Sequence, residues 1–126
     1  MKILLLEDDV LQMFQLKKYF QKMGHTVYTG ENGVDGLENT IKYDPDVIVC
    51  DVNMPYLTGV DLYHLLENHG DYAKRILLIS SNTRRVDMLD IPNAHKNTSF
   101  FKKPLNLNEL NQRVMEFEVH GTETKR

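Results

Sequence analysis

The sequence predicts an α/β domain: a doubly wound, five-stranded parallel sheet in the flavodoxin-like order 2-1-3-4-5, with five helices. Three observations carry this. The apolar runs Ile3–Leu6, Val47–Cys50 and Ile76–Ile79 show no polar alternation, as strands buried on both faces do not. Segments with apolar residues at helical spacing lie between the strands, the pattern of a parallel sheet with crossover helices. Asp8, Asp51, Ser80 and Lys103 each stand at the end of an apolar run, and open parallel sheets place their chemistry at the carboxyl ends of the strands.

Ile3–Leu6 is the first strand. Val10, Phe14, Lys17, Phe20 and Met23 follow at helical spacing, Met13 and Leu16 widen the apolar face, and Gly24 supplies the stop. His25–Thr29 alternates weakly and reads as the second strand. Val34, Leu37 and Ile41 mark a second helix that ends before Asp44-Pro45, because a residue preceding proline is pushed out of the helical region. Val47–Cys50 is the third strand, closed by Asp51, and Asn53–Gly59 is a loop set by Pro55 and Gly59. Leu62, Leu65 and Leu66 form the inner stripe of a third helix that stops near Gly70, before the fourth strand, Ile76–Ile79. Val86, Met88 and Leu89 fit a short fourth helix that Pro92 keeps from being long. Phe100 and Phe101 lie in the fifth strand. Asn106 with Glu109 resembles a capping box and opens a last helix carrying Leu107, Leu110, Val114 and Phe117. One domain over residues 1–120 is expected, with a disordered tail over 121–126. Right-handed crossovers leave few topologies, and in the order above the first and third strands flank the switch point.

A chain of 126 residues, 41% hydrophobic and 26% charged, has the length and composition of one ordinary soluble domain. Its net charge of −3 gives no footprint for direct contact with nucleic acid or an anionic membrane surface. The doublets Arg84-Arg85, Lys102-Lys103 and Lys125-Arg126 are not the clustered stripe that such binding needs. Cys50 is the single cysteine, which excludes an internal disulfide; in an apolar strand it reads as a buried, inert thiol. No apolar stretch approaches the roughly 20 residues of a membrane span. Met1-Lys2 runs straight into the first strand with no leader pattern, so a reducing, cytoplasmic setting is expected. His25, His64, His69, His95 and His120 show no metal-ligand spacing.

Glu7, Asp8 and Asp9 form an acidic run past the first strand, and Asp51 lies across the switch point from them. Carboxylates gathered at one point repel unless a divalent cation joins them, and Mg²⁺ takes one or two protein carboxylates, waters and a phosphate oxygen. Asp9 reads better as the cap of the following helix. Asp51, the central acid, can act as a nucleophile, since carboxylates form acyl phosphates. Asn53 offers a backbone carbonyl to a metal, although its side chain reads as a loop cap. Ser80 can donate a hydrogen bond to a phosphoryl oxygen. Lys103, held between a strand and Pro104, can neutralise phosphoryl charge.

Together, "LLLEDD", "VIVCDVNMPYLTG", "ILLISS" and "FFKKPLNLNEL" resemble the receiver domain of two-component response regulators, over residues 2 to about 118. The resemblance implies that Asp51 is the phosphoacceptor, phosphorylated by a histidine kinase or phosphotransfer protein. It implies Mg²⁺ (or Mn²⁺) held by Glu7, Asp8, Asp51 and the Asn53 carbonyl, with Lys103 as the phosphate-pairing lysine and Ser80 and Phe100 as the switch pair. Only slow self-catalysed phosphotransfer and dephosphorylation are then expected, not an enzyme's turnover. The output would be a changed affinity for a protein effector, from a monomer or a phosphorylation-dependent dimer. The acidic triplet leaves the register of the pair open by one residue, with Glu7-Asp8 preferred over Asp8-Asp9. Ser81 stands where the family usually has Ala, and "AHKNTS" replaces the usual Gly-Ala before the fifth strand. A stand-alone, chemotaxis-type receiver is the simplest reading. The alternatives are a receiver excised from a longer DNA-binding regulator, and a receiver-fold binding module that is never phosphorylated. A small hydrolase with Asp51 as nucleophile fits poorly, because Asn53 occupies the place of its second acid.

Overall fold

Five strands alternate with helices in the computed structural model, which describes residues 1–80 and 99–124. The order is β1 (Lys2–Leu6), α1 (Val10–Lys22), β2 (Thr26–Gly30), α2 (Gly33–Tyr43), β3 (Val47–Asp51) and α3 (Gly59–Leu66). A 3₁₀ turn (Tyr72–Arg75), β4 (Ile76–Ser80), β5 (Ser99–Lys102) and α4 (Leu107–Thr124) complete it. The strands form one sheet in the order β2-β1-β3-β4-β5, every pair parallel. Four α-helices, not the expected five, stand among the described residues. The helix predicted around Val86–Leu89 falls in residues 81–98, outside them.

Alternate strand residues build two cores. Leu4, Leu6, Ile48, Cys50, Ile76 and Leu78 face α3, meeting Leu62, Tyr63 and Leu66. Ile3, Leu5, Val47, Val49, Leu77 and Ile79 face the other way, against Leu16 and Phe20 of α1 and Leu110, Val114 and Phe117 of α4. Each fully buried side chain of this size contributes about 1.5–3 kcal/mol, so β1, β3 and β4 carry the fold's stability and hold the strand ends rigidly. Among the described residues no helix is long and apolar enough to cross a membrane.

Three apolar faces differ from the sequence reading. On α1, Val10 and Phe14 are 80% and 55% exposed, and the inner face is Met13, Leu16 and Phe20. On α2, Val34 and Ile41 are exposed and the buried residues are Gly33, Gly36 and Thr40. A Cβ on Gly36 would lie 2.6 Å from Leu6 Cδ1 and 2.9 Å from Leu62 Cδ2, so the helix approaches the sheet too closely for a large residue there. On α3, Leu65 points out and Tyr63 in. That helix also starts three residues earlier than its apolar stripe, at Gly59, because Thr58 and Asp61 form a reciprocal capping box at 3.1 and 3.3 Å. The tail expected from Gly121 is instead helical as far as Thr124. A single glycine costs a helix about 1 kcal/mol, too little by itself to end it at Gly121.

Candidate functional site

The carboxyl ends of β1, β3, β4 and β5 meet at one edge, and the sheet register sets what they deliver. Leu6 pairs with Cys50, so Glu7 and Asp51 leave neighbouring strands at the same height. Ser80 is the last residue of β4, paired with Lys102, and the Lys103 N–H donates to the Ser80 carbonyl at 3.0 Å. One carboxylate oxygen from each of Glu7, Asp8 and Asp51 lies within 4.8 Å of the others. Glu7 and Asp51 are buried, Asp8 is exposed, and Ser80 is buried.

Lys103 Nζ bridges the two buried acids, donating to Asp51 Oδ2 at 2.8 Å and to Glu7 Oε2 at 3.1 Å. Two backbone N–H groups hold the remaining oxygens. Asn53 donates to Asp51 Oδ1 at 2.9 Å, and Asp9 donates to Glu7 Oε1 at 3.1 Å. The Asp9 side chain accepts from the Gln12 N–H at 3.1 Å, capping α1. The triplet therefore divides: Glu7 and Asp8 join Asp51, and Asp9 is spent on the helix. Gly59 runs directly beneath the end of β3, where a Cβ would lie 2.8 Å from the Asp51 carbonyl oxygen. Sequence reasoning missed that contact and the Thr58–Asp61 box that starts α3 beside it; the Thr-x-x-Asp spacing was the available signal.

Among the described residues three carboxylates stand against one ammonium, and the titration of Glu7 and Lys103 reflects this. Burial, then the charge of Asp51, pushes Glu7 up to about 7, against the pull of the Asp9 N–H and Lys103. Burial works against the Lys103 ammonium, but the hydrogen bond to and charge of Asp51, with Glu7 behind them, more than offset it and raise its pKa. Burial and the same two carboxylates hold the Cys50 thiol far above its ordinary range. A hard divalent cation fits this donor set, which offers oxygen atoms only and carries uncompensated negative charge. Glu7, Asp8 and Asp51 are the residues that would hold it; the Asn53 N–H, which bonds Asp51, sets the Asn53 backbone beside them.

Phe100 takes its place in β5, paired with Leu78; its ring, like Ser81, lies outside what is described. Beside the acidic cluster a cleft of about 270 Å³ runs between Gln12, Gln15 and Leu16 of α1 and the segment Lys103–Leu107, reaching the site only through Lys103.

Comparison with known proteins agrees with this geometry. The family model for the response regulator receiver domain matches residues 3–115. Regulator of RpoS from Escherichia coli K12 is 29% identical over 113 residues, which cover 90% of this chain and 33% of that protein. Response regulator MprA from Mycobacterium leprae is 31% identical over 116 residues, covering 90% and 49%. The chain thus spans about a third to a half of these two relatives. Protein PilH from Pseudomonas aeruginosa is 29% identical over 87 residues, covering 68% of this chain and 72% of that one. Among solved structures, chemotaxis response regulator CheY4 of Vibrio cholerae matches with a TM-score of 0.79 at 26% identity, covering 92% of this chain and 97% of that one. TrrA of Thermotoga maritima, solved in complex with Mg²⁺-BeF, shares the fold with a TM-score of 0.77 at 22% identity, covering 92% and 97%. A match running almost end to end, on a 2-1-3-4-5 sheet with this acidic cluster at its carboxyl edge, places the chain in the response regulator receiver domain family, the signalling phosphoacceptors of two-component systems.

Proposed function

We propose that this chain is the phosphoacceptor switch of a two-component phosphorelay, and that Asp51 is the residue phosphorylated. The donor is a histidine kinase or a histidine phosphotransfer protein, the cofactor Mg²⁺ (or Mn²⁺), and the setting the cytoplasm. The observation that carries the reading is the hold on Asp51. Its carboxylate is buried at a strand end, fixed by Lys103 at 2.8 Å and by the Asn53 N–H at 2.9 Å, with two further acids beside it.

A carboxylate needs no general base to act as a nucleophile. An Asp51 oxygen attacks the donor's phosphorus, the P–N bond breaks, and the imidazole leaves with its electron pair. Positioning and charge neutralisation are then the whole of the catalysis. Lys103 turns its ammonium to the arriving phosphoryl oxygens, Ser80 donates its hydroxyl to one of them, and a bound cation supplies the remaining positive charge. Attack of water on the phosphorus later releases phosphate and restores the carboxylate, a slow reset, not turnover. The output is a population shift in which Ser80 and Phe100 change position together and alter affinity for a protein effector, as a monomer or a phosphorylation-dependent dimer. Phosphorylation-dependent effector binding that survives in Ser80→Ala would overturn this coupling.

A second reading keeps the same site but makes the chain the receiver part of a longer regulator. The relatives of which it spans 33% and 49% favour it.

Intact mass after incubation with Mg²⁺ and acetyl phosphate tests the acceptor. One phosphoryl adduct in the wild type, lost with EDTA and in Asp51→Asn, is the expected result. No adduct, with Mg²⁺ binding also absent, would leave a binding module that is never phosphorylated.

A further inference from the structure

The loop from Val52 to Thr58 carries Asn53, and its base is pinned. Val52 N–H donates to the Ile79 carbonyl at 2.8 Å, and Gly59 N–H to the Val52 carbonyl at 2.8 Å. Its tip is held differently. Leu57 N–H donates to the Pro55 carbonyl at 2.8 Å across Tyr56, whose φ is +69°. This is a γ-turn in its rare, strained form, and such strain persists only where surrounding contacts over-determine it. The turn throws Tyr56 out, 90% exposed, and drives Leu57 inward onto Gly33, the first residue of α2.

Gly33 is not a glycine for its backbone. Positive φ among the described glycines belongs to Gly24 and Gly70. What position 33 lacks is room: a Cβ there would lie 2.5 Å from both Leu57 Cβ and the Leu57 carbonyl oxygen, and 2.8 Å from Leu57 Cγ. The helix could retreat only by giving up the equally close packing of Gly36, one turn on, against Leu6 and Leu62. Added bulk at position 33 therefore falls on the loop.

We propose that Gly33 and Leu57 are positioning residues for the acceptor site. Their contact sets the height of the Asn53–Thr58 loop against the sheet and so fixes the Asn53 backbone, whose N–H bonds Asp51 and whose carbonyl completes the cation's donor set. The inference rests on the cation-binding reading of Glu7, Asp8, Asp51 and Asn53. Neither residue touches the reacting atoms; each acts through the loop, as supporting groups around a metal site do.

The test is Mn²⁺ affinity, from free Mn²⁺ counted by electron paramagnetic resonance, on the full chain without phosphodonor. Gly33→Ala weakens binding about tenfold, the low end for loss of a supporting contact around a metal site. Leu57→Ala keeps the Cβ that meets Gly33 but removes the rest of the side chain, which anchors the loop tip against the core around Leu62 and Leu66. It loosens the loop without touching α2 and weakens binding in the same direction, so the test survives if the first variant does not fold. Gly24→Ala is the control. Its φ of +93° strains any side chain, with nothing within 4 Å, so it lowers stability far from the loop and leaves Mn²⁺ affinity unchanged. Wild-type affinity, within twofold, in both Gly33→Ala and Leu57→Ala would overturn the proposal while leaving the cation site standing. Equal weakening in Gly24→Ala would reduce the effect to general destabilisation and overturn it too. A wild-type chain that binds no Mn²⁺ would remove the cation reading itself, and the proposal with it.

Discussion

At the amino edge of the sheet, where the strands begin, charges are matched. The Lys2 N–H bonds Asp46 at 2.8 Å and its ammonium bonds the Tyr43 carbonyl at 3.0 Å. Arg75 pairs with Asp71 and donates to the Pro45 carbonyl at 3.2 Å, and the Tyr72 hydroxyl donates to Asp44 at 2.6 Å. At the carboxyl edge, among the described residues, Glu7, Asp8 and Asp51 cluster around one cation, Lys103, which pairs with Glu7 and Asp51. The first set closes off the sheet; the second leaves charge unbalanced where a ligand can balance it. Among the described residues, a buried donor at the amino edge, Arg75 Nε, lacks a hydrogen-bond partner; at the carboxyl edge the oxygens of Glu7 and Asp51 are all bonded, and what distinguishes that edge is its excess of negative charge.

The sharpest way to break this contrast is to remove the cation at each edge. Lys103→Met takes away the ammonium bonded to Asp51 and, on the mechanism proposed above, slows adduct formation from acetyl phosphate by about 10²-fold, the cost of losing one preorganised donor. It also lowers the melting temperature of the metal-free protein, because Glu7 and Asp51 lose their counter-charge. It does not weaken Mg²⁺ binding, since it removes a competing positive charge. Arg75→Met lowers the melting temperature and leaves the adduct rate unchanged. An Arg75 variant that slowed phosphorylation as much as the Lys103 variant would erase the distinction between the edges.

A smaller effect follows from Glu7, whose pKa rises on folding from about 4.5 to about 7. Between those values the folded state holds a proton that the unfolded state has lost. Stability of the metal-free protein from this group is therefore fully present below the lower value and lost as pH rises through the upper one. Its melting temperature should fall by several degrees between pH 5 and pH 7. Glu7→Gln flattens that slope, and saturating Mg²⁺ removes it in the wild type. A flat profile in the metal-free wild type would mean that Lys103 already balances the site.

The contrast between the edges was half legible in the sequence. Apolar runs ending in Asp51 and Ser80 announce the carboxyl edge, because both faces of β3 and β4 are buried and the first polar residue marks the exit; Lys103 follows the edge strand β5, where the exposed Lys102 comes first. The division of the triplet into Glu7 and Asp8 for the site and Asp9 for the helix was open by one residue, since all three are acids and only the turn into α1 separates them. Nothing in Tyr72 or Asp44 marked the amino edge, for the bonds from Tyr72 to Asp44 and from Arg75 to Pro45 join residues 28 and 30 apart. The inner faces of α1 and α2 were misplaced for one reason. Apolar spacing reports the period of a helix, but when glycine and threonine face the sheet, as Gly33, Gly36 and Thr40 do, the large residues are left pointing outward.

The smallest effect belongs to Tyr72, which tests whether the amino edge is structural alone. Burial and then the hydrogen bond to Asp44 push its hydroxyl up to about 12. The folded state therefore keeps a proton that the unfolded state loses near pH 10, so the stability contributed by this group is intact below that pH and is lost as pH rises toward 12. Tyr72→Phe removes the bond to Asp44 at a cost of about 1 kcal/mol near neutral pH, the usual net value of one hydrogen bond. It also makes the melting temperature less steep with pH above 10. Because Tyr72 bonds only groups at the beginnings of the strands, the variant's Mg²⁺ affinity and phosphoryl adduct should match the wild type. A shift in either would show that the two edges are coupled through β3 and β4, whose buried residues are the rigid link between them.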